Sequence, residues 1–302
     1  WLKPREFCTD MRHLRGDSPT PPAAASCPPD KHPEAGAASD ADSDAPQTHA
    51  LFDDDDALES GDAVEVVGSG PGALPIVYHA SRAFVWPSAK LLAELVAGRY
   101  AQWVQGRRVL ELGCGMGLPS LAAADAGAAR VVATDVDLGA LRRLQFIAAE
   151  CPANRERWGP ERAARIAAAI RAEPLDWFLA LSEEAKDAVP AVDATDVCLC
   201  ADVNYHPDAR TALALARTVW RSRADRVLLV SREHRAGFLA FAGALRRLFA
   251  ACVADREPME CERRGIGVAE EERHSLFAFE GRREDVCWEE ERRHIEAALG
   301  GA

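Results

Sequence analysis

From about residue 62 onward, short apolar runs alternate with longer segments whose apolar residues recur every three or four positions. The short runs predict buried strands, and their sequences are RRVLEL, ARVVATD, TDVCLCAD, DRVLLVS and HSLFAFEG. The longer segments predict helices, and they are LPSLAAADAG, DLGALRRLQFIAAE, DARTALALARTVWRS and AGFLAFAGALRRLFAAC. A chain in which strand and helix take turns builds a mostly parallel sheet with helices on both faces. The pattern therefore predicts a doubly wound α/β fold.

Local patterns indicate further elements. The segment AVEVVGSGPGALPIVYHA indicates two short strands around a Gly/Pro turn. The segment WPSAKLLAELVAGRYAQWV has the apolar spacing of a helix, with Gly98 near its end. RAARIAAAIRA is compatible with either a helix or a strand, and residues 151–165 have the character of an insertion. The late segment REPMECERRGIGVAEEERHS is predicted to be a loop.

The first sixty residues differ in composition from the rest of the chain. They are rich in Pro, Ala, Ser and Asp and contain little to bury, so we predict that they are disordered. They hold 13 acidic residues against 5 Lys and Arg, a net charge of −8 out of the −12 carried by all 302 residues. We therefore predict two regions, a disordered acidic segment over 1–60 and a folded domain over 61–302.

Charge and hydropathy restrict the partners of the chain. Nucleic-acid binding needs a concentrated basic surface, which this acidic sequence lacks, so we expect no nucleic-acid partner. No run of about 18 apolar residues predicts a membrane span, and the opening WLKPREFCTD lacks the pattern of a signal peptide. We expect a monomer in the cytoplasm that does not bind membranes, with the nucleus as the alternative location.

Nine cysteines are scattered along the chain without any C-x-x-C pair. Cys198 and Cys200 stand in an apolar run, where strand alternation places both side chains on one face. We interpret them as packed thiols in a reduced compartment, with zinc ligation as the alternative. Asn204 and His206 would need more carboxylate or imidazole ligands than the local sequence offers, so no metal site is predicted.

The predicted strand RRVLEL leads into a loop with three glycines, Gly113, Gly115 and Gly117, which a predicted helix follows. Glycines after a strand let the backbone turn sharply and approach a ligand closely, and the next helix presents free N–H groups. Dinucleotide-binding loops have the spacing G-x-G-x-x-G, and the position of its third glycine is Leu118 here. The spacing G-x-G-x-G therefore argues against a pyrophosphate ligand.

Two acidic residues accompany the glycine loop. Glu111 lies two residues before the first glycine, where it would repel a pyrophosphate but can accept hydrogen bonds from an ammonium group. Asp135 ends the next predicted strand, where a carboxylate can accept both hydroxyls of a ribose. An adenosine ligand with a ribose, an amino-acid tail and no pyrophosphate is S-adenosylmethionine, which we predict as the cofactor. The alternatives are a purely structural turn and a nicotinamide or flavin cofactor.

The glycine loop and three further motifs together make the sequence similar to the class I, seven-stranded S-adenosylmethionine-dependent methyltransferases. More narrowly, it is similar to the family-16 group, whose characterised members are mostly protein-lysine methyltransferases. The resemblance covers about residues 62–282 and rests on FVWPSAKLLAELV, VLELGCGMGLPSLAAADAGAARVVATD, PLDW and DVCLCADVNYHPD. It implies a Rossmann-like sheet of seven strands.

The resemblance also implies roles for single residues. Besides the glycines and the two acids, four residues would contact the cofactor, namely Trp86, Cys114, Trp177 and Ala201. Asp202 and Tyr205 belong to an Ala-Asp-x-x-Tyr motif that, in the family, lies beside the cofactor methyl group and the incoming lysine. Taken without the family, the two tryptophans are more typical of core residues.

The predicted reaction is direct displacement of the sulfonium methyl group by an amine of a protein lysine. Asp202 would orient the amine, and Tyr205 would line the lysine channel. Methylation of a small amine, a protein arginine or a protein N-terminus shares the same cofactor site and remains open. A third alternative is a catalytically silent domain that binds cofactor and interacts through its acidic segment.

Overall fold

The computed structural model describes residues 62–68, 72–79, 85–182, 195–204, 208–232, 235–262 and 269–300. The segment 1–60, which we predict to be disordered, lies outside these residues, and so does Tyr205. Both therefore stay predictions. Within the described ranges, no helix is long and apolar enough to cross a membrane.

The described residues form strands and helices in the alternating order that the sequence predicts. The strands are β1 (Asp62–Val67), β2 (Leu74–His79), β3 (Arg108–Leu112), β4 (Arg130–Asp135), β5 (Ile170–Pro174), β6 (Val197–Ala201), β7 (Arg226–Arg232), β8 (Phe249–Glu262) and β9 (Ala269–Arg282). The helices are α1 (Pro87–Ala97), α2 (Ala101–Val104), α3 (Leu118–Asp125), α4 (Leu138–Gln145), α5 (Pro152–Trp158), α6 (Pro160–Ala169), α7 (Ala209–Ser222), α8 (Ala236–Leu248) and α9 (Trp288–Gly300). A π-helical turn follows α4 over Phe146–Glu150, and a 3₁₀ helix covers Trp177–Leu181.

Seven strands form one sheet in the order β5-β4-β3-β6-β7-β9-β8. Strands β3 to β7 run parallel to one another, whereas β9 is antiparallel to both β7 and β8. Strands β1 and β2 pair with each other as a separate antiparallel hairpin. The predicted sheet of seven mostly parallel strands is confirmed.

Alternate residues of the central strands pack on opposite faces of the sheet. Val109 of β3 joins the core formed with α1, α3, α4 and α6, while Leu110 and Leu112 join the core formed with α7, α8 and α9. Cys198 and Cys200 lie together on the second face, with their Sγ atoms 3.8 Å apart. Helices therefore cover both faces, as expected for a doubly wound sheet, and the two cysteines are packed thiols.

The carboxyl-terminal part differs from the sequence-based prediction. The segment AGFLAFAGALRRLFAAC is helical only as far as Leu248, because Phe249 already begins β8. Most of the segment predicted as a loop belongs to β8 and β9, which pair from Phe249 and Arg282 to Glu262 and Ala269. Helix α9, which the pattern did not indicate, packs its Trp288 on the second core. The loop prediction is wrong because the pairing of β8 with β9 overrides the local sequence.

Residues 151–165, which have the character of an insertion in the sequence, form α5 and part of α6 in the connection between β4 and β5. They hold the β1–β2 hairpin. The indole nitrogen of Trp158 donates to the carbonyl oxygen of Pro75 at 2.6 Å. The guanidinium of Arg162 pairs with Asp125 of α3 and donates to two carbonyl oxygens just before β2, at 3.1 and 2.9 Å. This connection is therefore a structural part of the fold.

We expect the Asn154→Ala substitution to lower the free energy of unfolding by about 2–6 kcal/mol, because two buried backbone groups lose their partner at about 1–3 kcal/mol each. Asn154 is fully buried, accepts the N–H of Val77 at 2.6 Å and donates to its carbonyl at 3.0 Å. Urea unfolding measures the change. The matched control is Arg155→Ala on the exposed side of the same helix, and equal unfolding midpoints for the two variants would contradict the prediction.

Candidate functional site

A cavity of about 640 Å³ opens at the carboxyl ends of β3, β4 and β6. Strand β3 has β4 on one side and β6 on the other, so the order in which the chain adds strands to the sheet reverses at β3. In open α/β sheets, ligands bind at this switch point, and the volume is typical of small-molecule sites. Ten residues singled out in the sequence line the cavity: Trp86, Glu111, Gly113, Cys114, Gly115, Gly117, Asp135, Trp177, Ala201 and Asp202.

The three glycines after β3 all have left-handed backbone angles, with φ of 62° for Gly113, 50° for Gly115 and 69° for Gly117. A side chain would also collide with the core at Gly117 and make a tight contact at Gly113. A Cβ on Gly113 would lie 3.1 Å from the ring of Trp177, and one on Gly117 would lie 2.6 Å from Leu144. A Cβ on Gly115 would meet nothing within 4 Å. The loop thus needs glycine at three positions and leaves open space above the middle one.

Glu111 is only 1% exposed at the end of β3. Its carboxylate accepts the backbone N–H of Ser120 on α3 at 2.9 Å and also the hydroxyl of the same residue. Burial raises the pKa of Glu111 to about 8, although the bonds from Ser120 act in the opposite direction; the charge of Asp135 adds to the rise. A cation bound beside Glu111 would favour its ionised form.

The free energy of unfolding is expected to contain a contribution from Glu111 that falls as the pH rises. The unfolded chain ionises this group near 4.5 and the folded chain near 8, so the folded state binds more protons between these values and loses stability there. One group contributes at most about 1.4 kcal/mol per pH unit. Urea unfolding of the wild type and of Glu111→Gln at a series of pH values measures the difference. A difference that stays constant across this interval would contradict the prediction.

Asp135 ends β4 and is bonded to the glycine loop. Its Oδ2 accepts the N–H of Gly115 at 2.8 Å, and its Oδ1 accepts the N–H of Asp137 at 3.0 Å. Asp137 in turn caps α4 by accepting the N–H of Gly139 at 2.7 Å. The carboxylate therefore stands at a fixed position in the cavity wall.

Trp177 and Cys114 form another part of the wall. The indole nitrogen of Trp177 is buried and has no hydrogen-bond partner within the described ranges, so the wall offers a free donor that a ligand could use. The thiol of Cys114 is 3% exposed, and burial together with the charge of Glu111 raises its pKa well above the ordinary value. The thiol stays protonated and is a poor nucleophile.

Asp202 directly follows β6 and is 7% exposed. Its φ of 55° is in the left-handed region, where residues other than glycine are uncommon and are enriched at functional sites. Its Oδ1 accepts the hydroxyl of Ser231 at 2.6 Å and the N–H of Arg232 at 3.4 Å. Its Oδ2 is buried and accepts no hydrogen bond from the described residues.

Trp86 precedes α1 and is 46% exposed at the cavity. The guanidinium carbons of Arg232 and Arg235 each lie 5.8 Å from the centre of its ring. Sequence reasoning missed both arginines and Ser120. The signal for the arginines was present, since REHR follows the predicted strand DRVLLVS at its carboxyl end, where ligands bind. Within the described ranges, no group of three His, Cys, Asp or Glu residues could hold a metal ion.

Comparison with known proteins identifies the family. Residues 76–246, more than half of the chain, match the family described as lysine methyltransferase. The chain belongs to methyltransferase family 16. The predicted resemblance is thus confirmed, and the matched range contains every residue found to line the cavity. Membership makes this family-16 enzyme an S-adenosylmethionine-dependent methyltransferase.

The family-16 methyltransferase also matches solved structures. TYW2 of Pyrococcus horikoshii in complex with MeSAdo is 15% identical, with 72% of either chain covered and a TM-score of 0.40. Precorrin 8W decarboxylase of Methanobacterium thermoautotrophicum is 14% identical, with 66% of this chain and 97% of that chain covered and a TM-score of 0.41. The methyltransferase domain of the bacterial protein CtHen1-C is 15% identical, with 65% and 100% covered and a TM-score of 0.41. No curated protein matched the sequence.

Proposed function

We propose that this family-16 methyltransferase transfers the methyl group of S-adenosylmethionine to a lysine side chain of a protein substrate. The observation that carries the proposal is Asp202, a buried carboxylate in the wall of the cavity with one oxygen that no described residue hydrogen-bonds. A buried acceptor without a donor costs free energy until a partner completes it. An amine brings the N–H groups that this oxygen can accept.

Four features of the cavity fit the cofactor. The carboxylate of Glu111 can accept hydrogen bonds from an ammonium group, and that of Asp135 can accept them from ribose hydroxyls. Open space above Gly115 allows close approach to the backbone. The ring of Trp177 offers a face for an adenine and an unused N–H donor. When bound, S-adenosylmethionine supplies a methyl group on a positively charged sulfur.

On the acceptor side, this chain's own residues position an amine and control its charge. A lysine amine has an ordinary pKa of about 10.4 and must lose a proton before it can act as a nucleophile. Burial lowers that pKa. The guanidinium groups of Arg232 and Arg235 lie 3.9 and 3.7 Å from Asp202, and their charge offsets that of the carboxylate. Asp202 can therefore orient the amine without strongly favouring the protonated, non-nucleophilic form of that amine.

The experiment that tests the proposal is transfer of radiolabelled methyl groups from S-adenosylmethionine into fractionated cell extract. Label recovered from protein as methyl-lysine after hydrolysis is the expected result. Label in small molecules, in methyl-arginine or in methylated N-termini would overturn the choice of acceptor and favour the corresponding alternative. Binding of S-adenosylhomocysteine without any transfer would overturn the enzymatic proposal in favour of a silent cofactor-binding domain.

The partner and the location belong to the same proposal. The net charge of −12 favours a protein over a nucleic acid as the acceptor, and Tyr205 would line the lysine channel by resemblance to the family. We propose a monomer that acts in the cytoplasm or the nucleus. Size-exclusion chromatography with light scattering measures the oligomeric state.

A further inference from the structure

Asp202 faces two guanidinium groups, those of Arg232 and Arg235, which form the arginine pair. The Nε atom of Arg235 lies 3.7 Å from Oδ1 of Asp202, and the Nε atom of Arg232 lies 3.9 Å from Oδ2. The ring of Trp86 lies against both guanidinium groups. One carboxylate, two cations and an aromatic face therefore share this end of the cavity.

The fold holds Arg235 in this position. Arg235 immediately precedes α8, and its backbone N–H donates to the carbonyl of Arg232 at 3.2 Å. Asn204, which is 3% exposed, donates from its amide to the carbonyl of Gly237 at 2.5 Å. That bond ties the first turn of α8 to the segment that follows β6. Arg235 is thus fixed beside Asp202 by the packing of two elements.

Asp202 does not satisfy the guanidinium of Arg235. The Nε atom of Arg235 lies 3.7 Å from Oδ1 of Asp202, a separation too long for a hydrogen bond. The Nε atom of Arg235 is buried without a hydrogen bond to any described residue, and its side chain is only 24% exposed. A guanidinium carries five N–H donors. Asp202 therefore leaves the buried Nε donor of Arg235 without a hydrogen bond.

A second carboxylate is the ligand that suits these donors. The planar guanidinium matches the two oxygens of a carboxylate and can bind them side by side. Trp86 covers one face of the group and so orients its edge. Because Arg235 lines the cavity, a carboxylate can reach it from the same space as the acceptor amine.

We propose that Arg235 determines substrate specificity by binding a carboxylate that lies next to the acceptor amine. The inference rests on the proposed function and narrows its substrate class to lysines that have an Asp or Glu neighbour. The carboxylate of the cofactor's own methionine part is the competing source of this ligand chemistry.

Calorimetric titration of the full chain, saturated with S-adenosylhomocysteine, tests the inference directly. The probes are a short peptide with Glu on both sides of a central Lys and a matched peptide with Gln in both places. The acidic peptide is expected to bind about tenfold more tightly or better, the range of a charged hydrogen bond. Arg235→Gln should abolish that preference, Arg235→Lys should restore it in part, and Arg246→Gln, at the exposed end of the same helix, should leave it unchanged.

Two results would overturn the inference. Equal affinities of the wild type for the two peptides would do so. So would a loss of S-adenosylhomocysteine affinity in Arg235→Gln as large as its loss of acidic-peptide affinity, because the bound carboxylate would then be that of the cofactor.

Mapping of methyl-lysine sites in labelled extract separates this inference from the proposed function. Acidic neighbours should be enriched at sites modified by the wild type and not at those modified by Arg235→Gln. Methyl-lysine without this enrichment would overturn the role of Arg235 and leave lysine methylation standing. A preference for the acidic peptide together with label on other acceptors would overturn lysine methylation and leave the carboxylate-binding role of Arg235 standing.

Discussion

The Asp202→Asn variant is expected to lose methyl transfer by about 10²-fold, the cost of misplacing a reacting group, while its affinity for S-adenosylhomocysteine changes little. Asparagine is the informative substitution because Asp202 has a φ of 55°, which asparagine adopts readily. Its side-chain oxygen can still accept the hydroxyl of Ser231. What the variant lacks is the negative charge and one acceptor oxygen.

Steady-state transfer rates and calorimetric affinities check this expectation together. The matched control is Asp196→Asn at the opposite end of β6, where the carboxylate pairs with Arg108 outside the cavity. The control should keep full activity. Asp202→Ala is a poorer test, because alanine is strained at this φ and removes the carboxylate that faces Arg235. If Asp202→Asn lost activity and cofactor affinity to the same extent, Asp202 would have a structural role and the proposed catalytic role would be refuted.

The Gly117→Ala variant is expected to lose about 2–5 kcal/mol of unfolding free energy. A left-handed alanine costs about 1–2 kcal/mol, and forcing a methyl group into a packed core costs about 1–3 kcal/mol more. Gly117 has a φ of 69°, and a Cβ there would lie 2.6 and 2.7 Å from the Cδ atoms of Leu144, which is fully buried. Urea unfolding measures the loss.

Gly115→Ala is the matched control for this prediction. It shares the left-handed backbone, but its Cβ would meet open space, so only the backbone cost of about 1–2 kcal/mol applies. It should instead weaken cofactor binding, since the new methyl group occupies the space above the loop. A Gly117→Ala/Leu144→Ala double variant should show less than the sum of the two single losses. Equal stability losses for Gly115→Ala and Gly117→Ala would refute the steric explanation.

The parts of the fold that the sequence predicted are those in which local pattern and tertiary structure agree. Strands β3, β4, β6 and β7 are mostly apolar runs with buried central residues. The glycines at 113, 115 and 117 mark a turn that no other residue makes easily. The acids at 111 and 135 were recognisable because each stands at a strand end. Their position followed from parallel strands ending at one edge of the sheet.

Other parts were hidden because distant contacts determine them. The sequence FAACVADREPMECE has neither strict alternation nor β-branched enrichment, and β8 forms because β9 pairs along its length. The sequence pattern assigns no role to Asn154 and Trp158, whereas in the structure both side chains form hydrogen bonds with the backbone of β2. Arg235 could be suspected from its place after β7, but its position beside Asp202 depends on the bond between Asn204 and Gly237.

The insertion of β9 between β7 and β8 has a consequence for chain synthesis. One edge of β7 remains without its partner until the ribosome has made β8 and then β9. During that time the apolar sequence VLLV presents unpaired backbone groups, a template for wrong pairing between nascent chains. Arg226 and Arg232 bracket this sequence, and charges at such flanks hinder aggregation. We therefore expect Arg226 and Arg232 to hinder aggregation of the growing chain, and for Arg232 this effect comes in addition to its place beside Asp202.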